Sequence, residues 1–245
     1  MLSAATMKTL AIDSSLSAGS VAALWNGRLA QRIFPVAGEH GRRLATALRD
    51  VAGELGWSPA AVDLVAVVRG PGSFTSLRVG VTTAKAIAWA SGAKLLGISA
   101  FEVIARQTAV HIQPSALSNG TAPPIAIAYD AGRGEVFAAT AVFFSDTLLG
   151  WQVGPAQLFL AADWLASLAP GTCISGPALT LLTEQLVNRP DLVLSPSTAW
   201  TPLASEVGAL AIQRAAAGES DDPSLVLPEY LRPSYADEKA SLSSR

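Results

Sequence analysis

Several features that mark secreted, membrane-spanning and nucleic-acid-binding proteins are absent from this sequence or scarce in it. Its 245 residues include one cysteine, Cys173, which excludes an internal disulfide. Only 15% of the residues are charged, the net charge is -2 and lysine and arginine form no block, which argues against direct binding of a nucleic-acid backbone. No apolar run approaches the roughly 20 residues of a spanning helix, and no leader-like segment opens the chain. These absences predict a cytoplasmic globular protein without a membrane segment.

The usual signatures of metal and nucleophilic catalysis are also missing. His40 and His111 are the only histidines, and neither has a second histidine or a cysteine at metal-ligand spacing. Cys173 lies in a short apolar stretch, and no Gly-x-Ser-x-Gly elbow occurs. The sequence therefore predicts neither a metal site nor a catalytic residue.

The sequence is rich in apolar residues, at 50%, which is enough to fill the core of a globular protein. Asn26-Gly27 joins two short alternating stretches and predicts a tight hairpin turn. Buried strands and amphipathic helices then alternate, which predicts a first lobe of order βββαβαβα. The predicted elements are strands 8–13, 20–25, 28–34, 62–68 and 94–98, and helices 38–55, 74–91 and 100–110.

A polar stretch with three prolines, residues 113–124, predicts a linker between an N-terminal lobe, 1–112, and a smaller divergent lobe, 113–245, with a flexible tail at 237–245. The second lobe again opens with a strand pair, 125–130 and 135–144, and helices are predicted at 161–168, 178–188 and 202–217. Each lobe begins with a hairpin unit whose first strand ends in an acidic residue, Asp13 or Asp130. This repetition predicts an α/β, two-lobed actin-like (ASKHA, ribonuclease H-like) fold with mixed sheets flanked by helices.

Two turns of the first lobe are candidates for a remnant of a nucleotide site. Asp13 and Ser14 end the first strand, where actin-like ATPases place an aspartate before a glycine-containing phosphate loop, but no glycine follows here until Gly19. The alternative is that Asp13 and its serines satisfy backbone groups in a turn.

The second turn joins the strand 62–68 to the helix 74–91. It contains Gly70, Gly72, Ser73 and Thr75, and either Ser73 or Thr75 can cap the helix and leave its amides free to bind an anion. It is not a Walker A loop, because no Gly-Lys-Ser/Thr follows. A sharp capped turn without a ligand explains the same residues.

The glycine-rich run and its surroundings resemble the TsaB (YeaZ) family. The resemblance is strongest over residues 7–104, weaker in the second-lobe hairpin and the terminal segment, and slight between 144 and 228. One departure is Ser76, where the family usually has a glycine. The matching runs are Thr9-Leu10-Ala11-Ile12-Asp13-Ser14-Ser15, Gly70-Pro71-Gly72-Ser73-Phe74-Thr75, Leu77-Arg78-Val79-Gly80, Ala84-Lys85, Gly97-Ile98-Ser99, Tyr129-Asp130-Ala131-Gly132-Arg133-Gly134-Glu135-Val136-Phe137 and Pro228-Glu229-Tyr230-Leu231-Arg232-Pro233.

The resemblance implies a non-catalytic scaffold that pairs with its paralogue TsaD, which carries the metal and transfers threonylcarbamoyl to the adenosine next to the anticodon of tRNA. It also implies the ATPase TsaE as a partner, a homodimer in isolation, contact with tRNA only through the complex, and ATP or ADP only within that complex. First-lobe helices form the dimer surface in the family. We therefore expect Glu39, His40, Arg43 and Ala47 to contact the partner, the alternative being a solvent-facing helix.

Two other classes of function remain open from the sequence. An independent sugar-kinase-like phosphotransferase would bind ATP near Asp13 and Gly72. A self-associating structural protein would form a homodimer that ignores TsaD. A peptidase, suggested by older names for relatives, lacks a nucleophile and metal ligands in this sequence.

Overall fold

The protein is built from two mixed sheets with helices around and between them. A computed structural model describes residues 6–34, 39–112, 122–144 and 150–232. The predicted tail at 237–245 and most of the predicted linker, 113–121, lie outside the described residues. Within the described parts of the chain, no helix is long and apolar enough to cross a membrane.

The first sheet has the strand order β3-β2-β1-β4-β5. The first three strands are antiparallel, and β4 and β5 add to β1 in parallel. The Asn26-Gly27 turn takes positive φ angles of 50° and 72°, as the predicted hairpin requires. The strands are β1 (Thr9–Asp13), β2 (Gly19–Trp25), β3 (Arg28–Phe34), β4 (Leu64–Gly70) and β5 (Lys94–Ser99).

The second sheet repeats the plan of the first. Its order is β8-β7-β6-β10-β11, with the first three strands antiparallel and the other two added in parallel, while β9 pairs with the first half of β7. The second sheet therefore repeats the five-strand order of the first and adds β9. The strands are β6 (Ile125–Gly132), β7 (Glu135–Phe143), β8 (Trp151–Val153), β9 (Gln157–Leu160), β10 (Cys173–Ser175) and β11 (Val193–Leu194).

The helices complete five layers, in the order helix, sheet, helix, sheet, helix. Alternate residues of β1 face opposite sides: Ile12 lies in the core that α1 and α2 cover, whereas Ala11 lies in the core beneath α6. Alternate residues of β6 divide likewise, with Ile127 facing the shared core and Ala128 facing α4. The helices are α1 (Glu39–Glu54), α2 (Phe74–Ser91), α3 (Ala100–Ala109), α4 (Ala161–Ser167), α5 (Thr183–Leu186) and α6 (Ala204–Ala216).

The second lobe departs from the sequence prediction in several places. The helix predicted at 178–188 is wrong: a 3₁₀ turn at Pro177–Leu181 and the single turn of α5 replace it. The short strands β8, β9 and β11 were not predicted. Helix α6 packs against β1, β2 and β4 of the first sheet, so the chain crosses back over the boundary at 113. The division into domains 1–112 and 113–245 stays a proposal.

Candidate functional site at the glycine turn

Asp13, at the carboxyl end of β1, is enclosed by the protein. It is 2% exposed, and one carboxylate oxygen accepts hydrogen bonds from the Ser15 amide, at 2.9 Å, and the Ser15 hydroxyl, at 2.7 Å. This is the closed turn that the sequence offered as the alternative to a phosphate loop. The carboxylate is held inside the turn and does not face solvent.

Burial changes the titration of this site. It raises the pKa of Asp13 from an ordinary 3.8 to about 6, while the two hydrogen bonds from Ser15 oppose the shift. The buried Tyr129, at the end of β6, has a pKa raised well above its ordinary value by burial and by the charge of Asp13. Tyr129 lies in the core that the two sheets share.

The turn after β1 packs directly on the glycine turn. The Ser73 amide donates to the Ser15 carbonyl at 2.7 Å, and the Ser14 hydroxyl donates to the Ser76 carbonyl at 2.8 Å. A Cβ at Gly72 would overlap the backbone of Ser15. Glycine is therefore needed at position 72 for the close approach of the protein's own backbone.

The residues predicted as a nucleotide remnant lie in two turns that contact each other, and some of them are buried while others are exposed. Asp13 and Ser14 are buried, whereas Gly72, Ser73 and Thr75 face solvent. Of the two residues predicted to cap α2, Ser73 occupies the N-cap position in an extended conformation, but its side chain makes no capping hydrogen bond. A nucleotide remnant at these residues stays a prediction.

A cleft that the sequence reasoning missed runs beside this site along α2. It has a volume of about 730 Å³ and lies between α2 and the segment 226–232. The Phe74 ring stacks on Tyr230 with centroids 4.6 Å apart, and the Arg78 guanidinium lies 5.2 Å from the Phe74 centroid. Lys85 Nζ donates to the Val226 carbonyl at 3.1 Å.

The outer stripe of α2 continues beyond the cleft to an exposed tryptophan. Trp89 is 86% exposed, and Leu225 and Leu227 beside the cleft are 75% and 63% exposed. Arg78 and Lys85 lie on this stripe, whereas Leu77, Val81 and Ala84 are buried on the other side of α2. The spacing of positions 74, 78, 85 and 89 was the signal that this stripe also carries two aromatic rings.

The four residues predicted to contact a partner lie in α1, next to α2 on the same face of the first sheet. Arg43 is exposed, whereas Ala47 is only 7% exposed and packs in the core under the helix. The side chains of Glu39 and His40 lie outside the described residues. Contact of these four residues with a partner stays a prediction.

The described residues offer neither a metal cluster nor a reactive cysteine. In the described parts of the chain, no group of three histidine, cysteine or acidic residues could hold a metal ion. Cys173 is 3% exposed, and burial raises the pKa of its thiol to about 11. At neutral pH the group is a protonated core thiol, which is a poor nucleophile.

Comparison with known proteins identifies the family. The family model described as TsaD, tRNA N6-adenosine threonylcarbamoyltransferase, matches residues 35–161, just over half of the chain. The chain is 29% identical to the tRNA threonylcarbamoyladenosine biosynthesis protein TsaB of Bacillus subtilis (strain 168), over 95% of this chain and 97% of that protein. The chain belongs to the TsaB (YeaZ) family.

Other relatives agree along the whole length. The TsaB protein of Escherichia coli (strain K12) is 28% identical over 95% of this chain and 98% of its own. The solved structure of YeaZ from Pseudomonas aeruginosa superposes with a TM-score of 0.73 at 26% identity, covering 92% of this chain and all of that one. Family membership confirms the predicted two-lobed, actin-like fold.

Proposed function

We propose that this chain is an accessory subunit in the synthesis of threonylcarbamoyladenosine in tRNA, and that it works by binding a TsaD partner. The observation that carries the proposal is the match to TsaB proteins over nearly the whole of both chains. These relatives are named as threonylcarbamoyladenosine biosynthesis proteins, whereas the transferase name belongs to the family model of TsaD.

The geometry of the first turn supports an accessory role over an independent phosphotransferase. A phosphoryl-transfer site needs backbone amides and cations aimed at the phosphates. Here the Ser73 amide donates its hydrogen bond to the Ser15 carbonyl. The Asp13 carboxylate accepts hydrogen bonds from the amide and the hydroxyl of Ser15. Both of these groups are used to close the turn.

The exposed surface of α2 supports a protein partner on that side of the first sheet. Tryptophan and tyrosine side chains are enriched among the residues that contribute most to protein interfaces. Trp89 is 86% exposed on the same stripe as Phe74, which stacks on the half-exposed Tyr230. We propose that TsaD covers this stripe together with the neighbouring outer face of α1, where Arg43 lies.

The test is to reconstitute the protein with TsaD from the same organism and to measure both association and threonylcarbamoyl transfer to tRNA. We expect transfer to depend on this chain, and Trp89→Asp to weaken association by at least about 30-fold, because a central aromatic contributes on the order of 2 kcal/mol or more. Arg43→Glu tests the α1 side. Ala47 is not a suitable test position, because it is buried and a charge there would destabilise the fold.

The control is Val187→Asp, because Val187 is also exposed, at 77%, but lies after α5 in the second lobe. This variant is expected to bind TsaD normally. A chain that neither binds TsaD nor changes its transfer rate would overturn the proposal. Phosphotransfer by the lone protein, or a homodimer that ignores TsaD, would then be the function to examine.

A further inference from the structure

The chain after α6 returns across the edge of the first sheet. The Asp221 amide donates to the Leu95 carbonyl at 2.8 Å, and the Gly97 amide donates to the Asp221 carboxylate at 2.8 Å. Val226 is 5% exposed and joins the core beneath α1 and α2. We call residues 221–232 the return segment. Asp221 and Val226 hold it to the first lobe before it reaches the glycine turn.

At the glycine turn the segment attaches to the end of β4. The Glu229 amide donates to the Arg69 carbonyl at 2.7 Å, and the Glu229 carboxylate lies 3.7 Å from the Arg69 guanidinium. Gly70 has a φ of +148°, and a Cβ on it would lie 2.6 Å from the Glu229 carbonyl oxygen. Glycine is therefore required at position 70 because a side chain there would collide with the return segment, whether or not a ligand binds.

The next three residues lead from the first lobe to the second. Tyr230 stacks on Phe74, and Leu231 packs against the core that both sheets share. The Arg232 guanidinium donates to the Ala131 carbonyl at 3.0 Å and forms an ion pair with Glu135, both at the β6–β7 turn. Arg232 and Glu135 are each about a quarter exposed, so solvent weakens this pair only in part.

We propose that residues 229–232 are a strap that holds the two lobes in one relative orientation. The four residues bind the β4 end, the α2 start, the shared core and the β6–β7 turn in succession. Rotation of one lobe about the other is a common motion of two-lobed proteins. Because the strap is attached at one end to β4 of the first lobe and at the other to the β6–β7 turn of the second, such a rotation would break the Arg232 contacts or withdraw Leu231 from the core.

The first experiment measures hydrogen exchange in the isolated protein and two strap variants, Arg232→Met and Leu231→Ala. Loss of a charge-assisted contact is expected to speed exchange at residues 132–136 by about tenfold. Arg189→Met is the matched control. Arg189 also binds an aspartate, Asp191, and two backbone carbonyls, but all its described contacts lie within the second lobe.

The second experiment measures the distance between spin labels on Arg49→Cys in α1 and Glu184→Cys in α5, because the native Cys173 is buried and escapes labelling. The parent protein is expected to give one narrow distance, and both strap variants a broader or second one, whereas Arg189→Met keeps the narrow distance. Arg232→Lys, which keeps the charge but loses the forked contact, replaces Arg232→Met if the latter does not fold.

The outcomes separate a strap from a surface appendage. Faster exchange at the β6–β7 turn together with a broadened distance supports the strap. Faster exchange confined to residues 229–232, with the distance unchanged, would overturn it. Neither measurement involves TsaD, so failure of the strap and failure of the proposed function are distinguishable.

Discussion

The two lobes share a strand order, but they differ in the burial of the aspartate at the end of the first strand. Asp13 and Asp130 both lie near the end of the first strand of their sheet, yet Asp13 is buried and Asp130 is exposed. The strands that follow are also matched: β4 ends at Gly70-Pro71 and β10 is followed by Gly176-Pro177, with both glycines at positive φ. Duplication has therefore preserved topology and glycine positions without preserving burial.

The segment that follows the Gly-Pro pair explains the difference. In the first lobe it is a turn followed by the 18 residues of α2. The Ser73 amide, just before α2, donates a hydrogen bond to the Ser15 carbonyl and so holds the turn that contains Asp13. In the second lobe it is a short 3₁₀ turn, and Asp130 accepts a hydrogen bond from the Gly132 amide at the surface. A neighbouring element thus decides whether an equivalent carboxylate meets water.

The largest expected effect tests the close approaches in the two lobes. Gly72→Ala places a Cβ on the Ser15 backbone, and Gly176→Ala places one on the Ala128 backbone in a left-handed conformation. Each is expected to lower the free energy of unfolding by about 3 kcal/mol, because backbone atoms cannot move aside cheaply. Urea unfolding at neutral pH measures this loss.

Gly53→Ala is the control for these glycine variants. Gly53 lies in the exposed face of α1 with open space around it, and alanine there is expected to stabilise by about 0.5 kcal/mol. A neutral Gly72→Ala would show that the two turns of the first lobe are not in contact in solution.

The next effect contrasts Asp13 with Asp130. A carboxyl group whose pKa is raised on folding contributes stability below its unfolded pKa and loses it as the pH rises. With the pKa moving from 3.8 to about 6, the protein is expected to lose stability between about pH 4 and pH 6 at this site. Asp13→Asn keeps the acceptor for Ser15 and removes the charge.

We expect Asp13→Asn to raise the free energy of unfolding by about 2 kcal/mol above pH 7 and to leave it unchanged near pH 4. Asp130→Asn is expected to change it by less than about 0.5 kcal/mol at either pH, because the exposed side chain keeps its bond to Gly132. Urea unfolding across this pH range is the measurement. A destabilised Asp13→Asn would contradict the raised pKa of Asp13.

The smallest expected effect concerns the α2 stripe. Trp89→Ala is expected to change the free energy of unfolding of the isolated protein by less than about 0.5 kcal/mol, because the ring is mostly in water. Thermal unfolding measures this. A loss of more than 1 kcal/mol would mean that Trp89 packs within the chain in solution and is not available to a partner.

The first lobe was predicted well because its signals are local. The spacing of Leu44, Leu48 and Val51 defines α1, and Asn26-Gly27 defines the β2–β3 turn, so element bounds agree within about two residues. The second lobe was predicted less well. Its strands β8 and β11 have three and two residues, too few for a periodic pattern, and Pro177 begins a 3₁₀ turn inside a stretch that reads as helix.

The same division holds for the candidate site. The sequence indicated that Asp13 and the Gly70 to Thr75 run belong together, through the duplication and the family resemblance. It did not indicate that Gly70 accommodates Glu229, or that Tyr230 stacks on Phe74, because these partners are more than 150 positions apart in the chain.

The sequence by itself determined the order of elements, the repetition of the lobes and the family, since all of these depend on local periodicity and short runs of residues. Only the tertiary structure decided which glycine faces which backbone, which aspartate is buried, and where the last described residues cross between the lobes. Those features depend on contacts between distant segments, and their energies arise from burial and packing that no local pattern records.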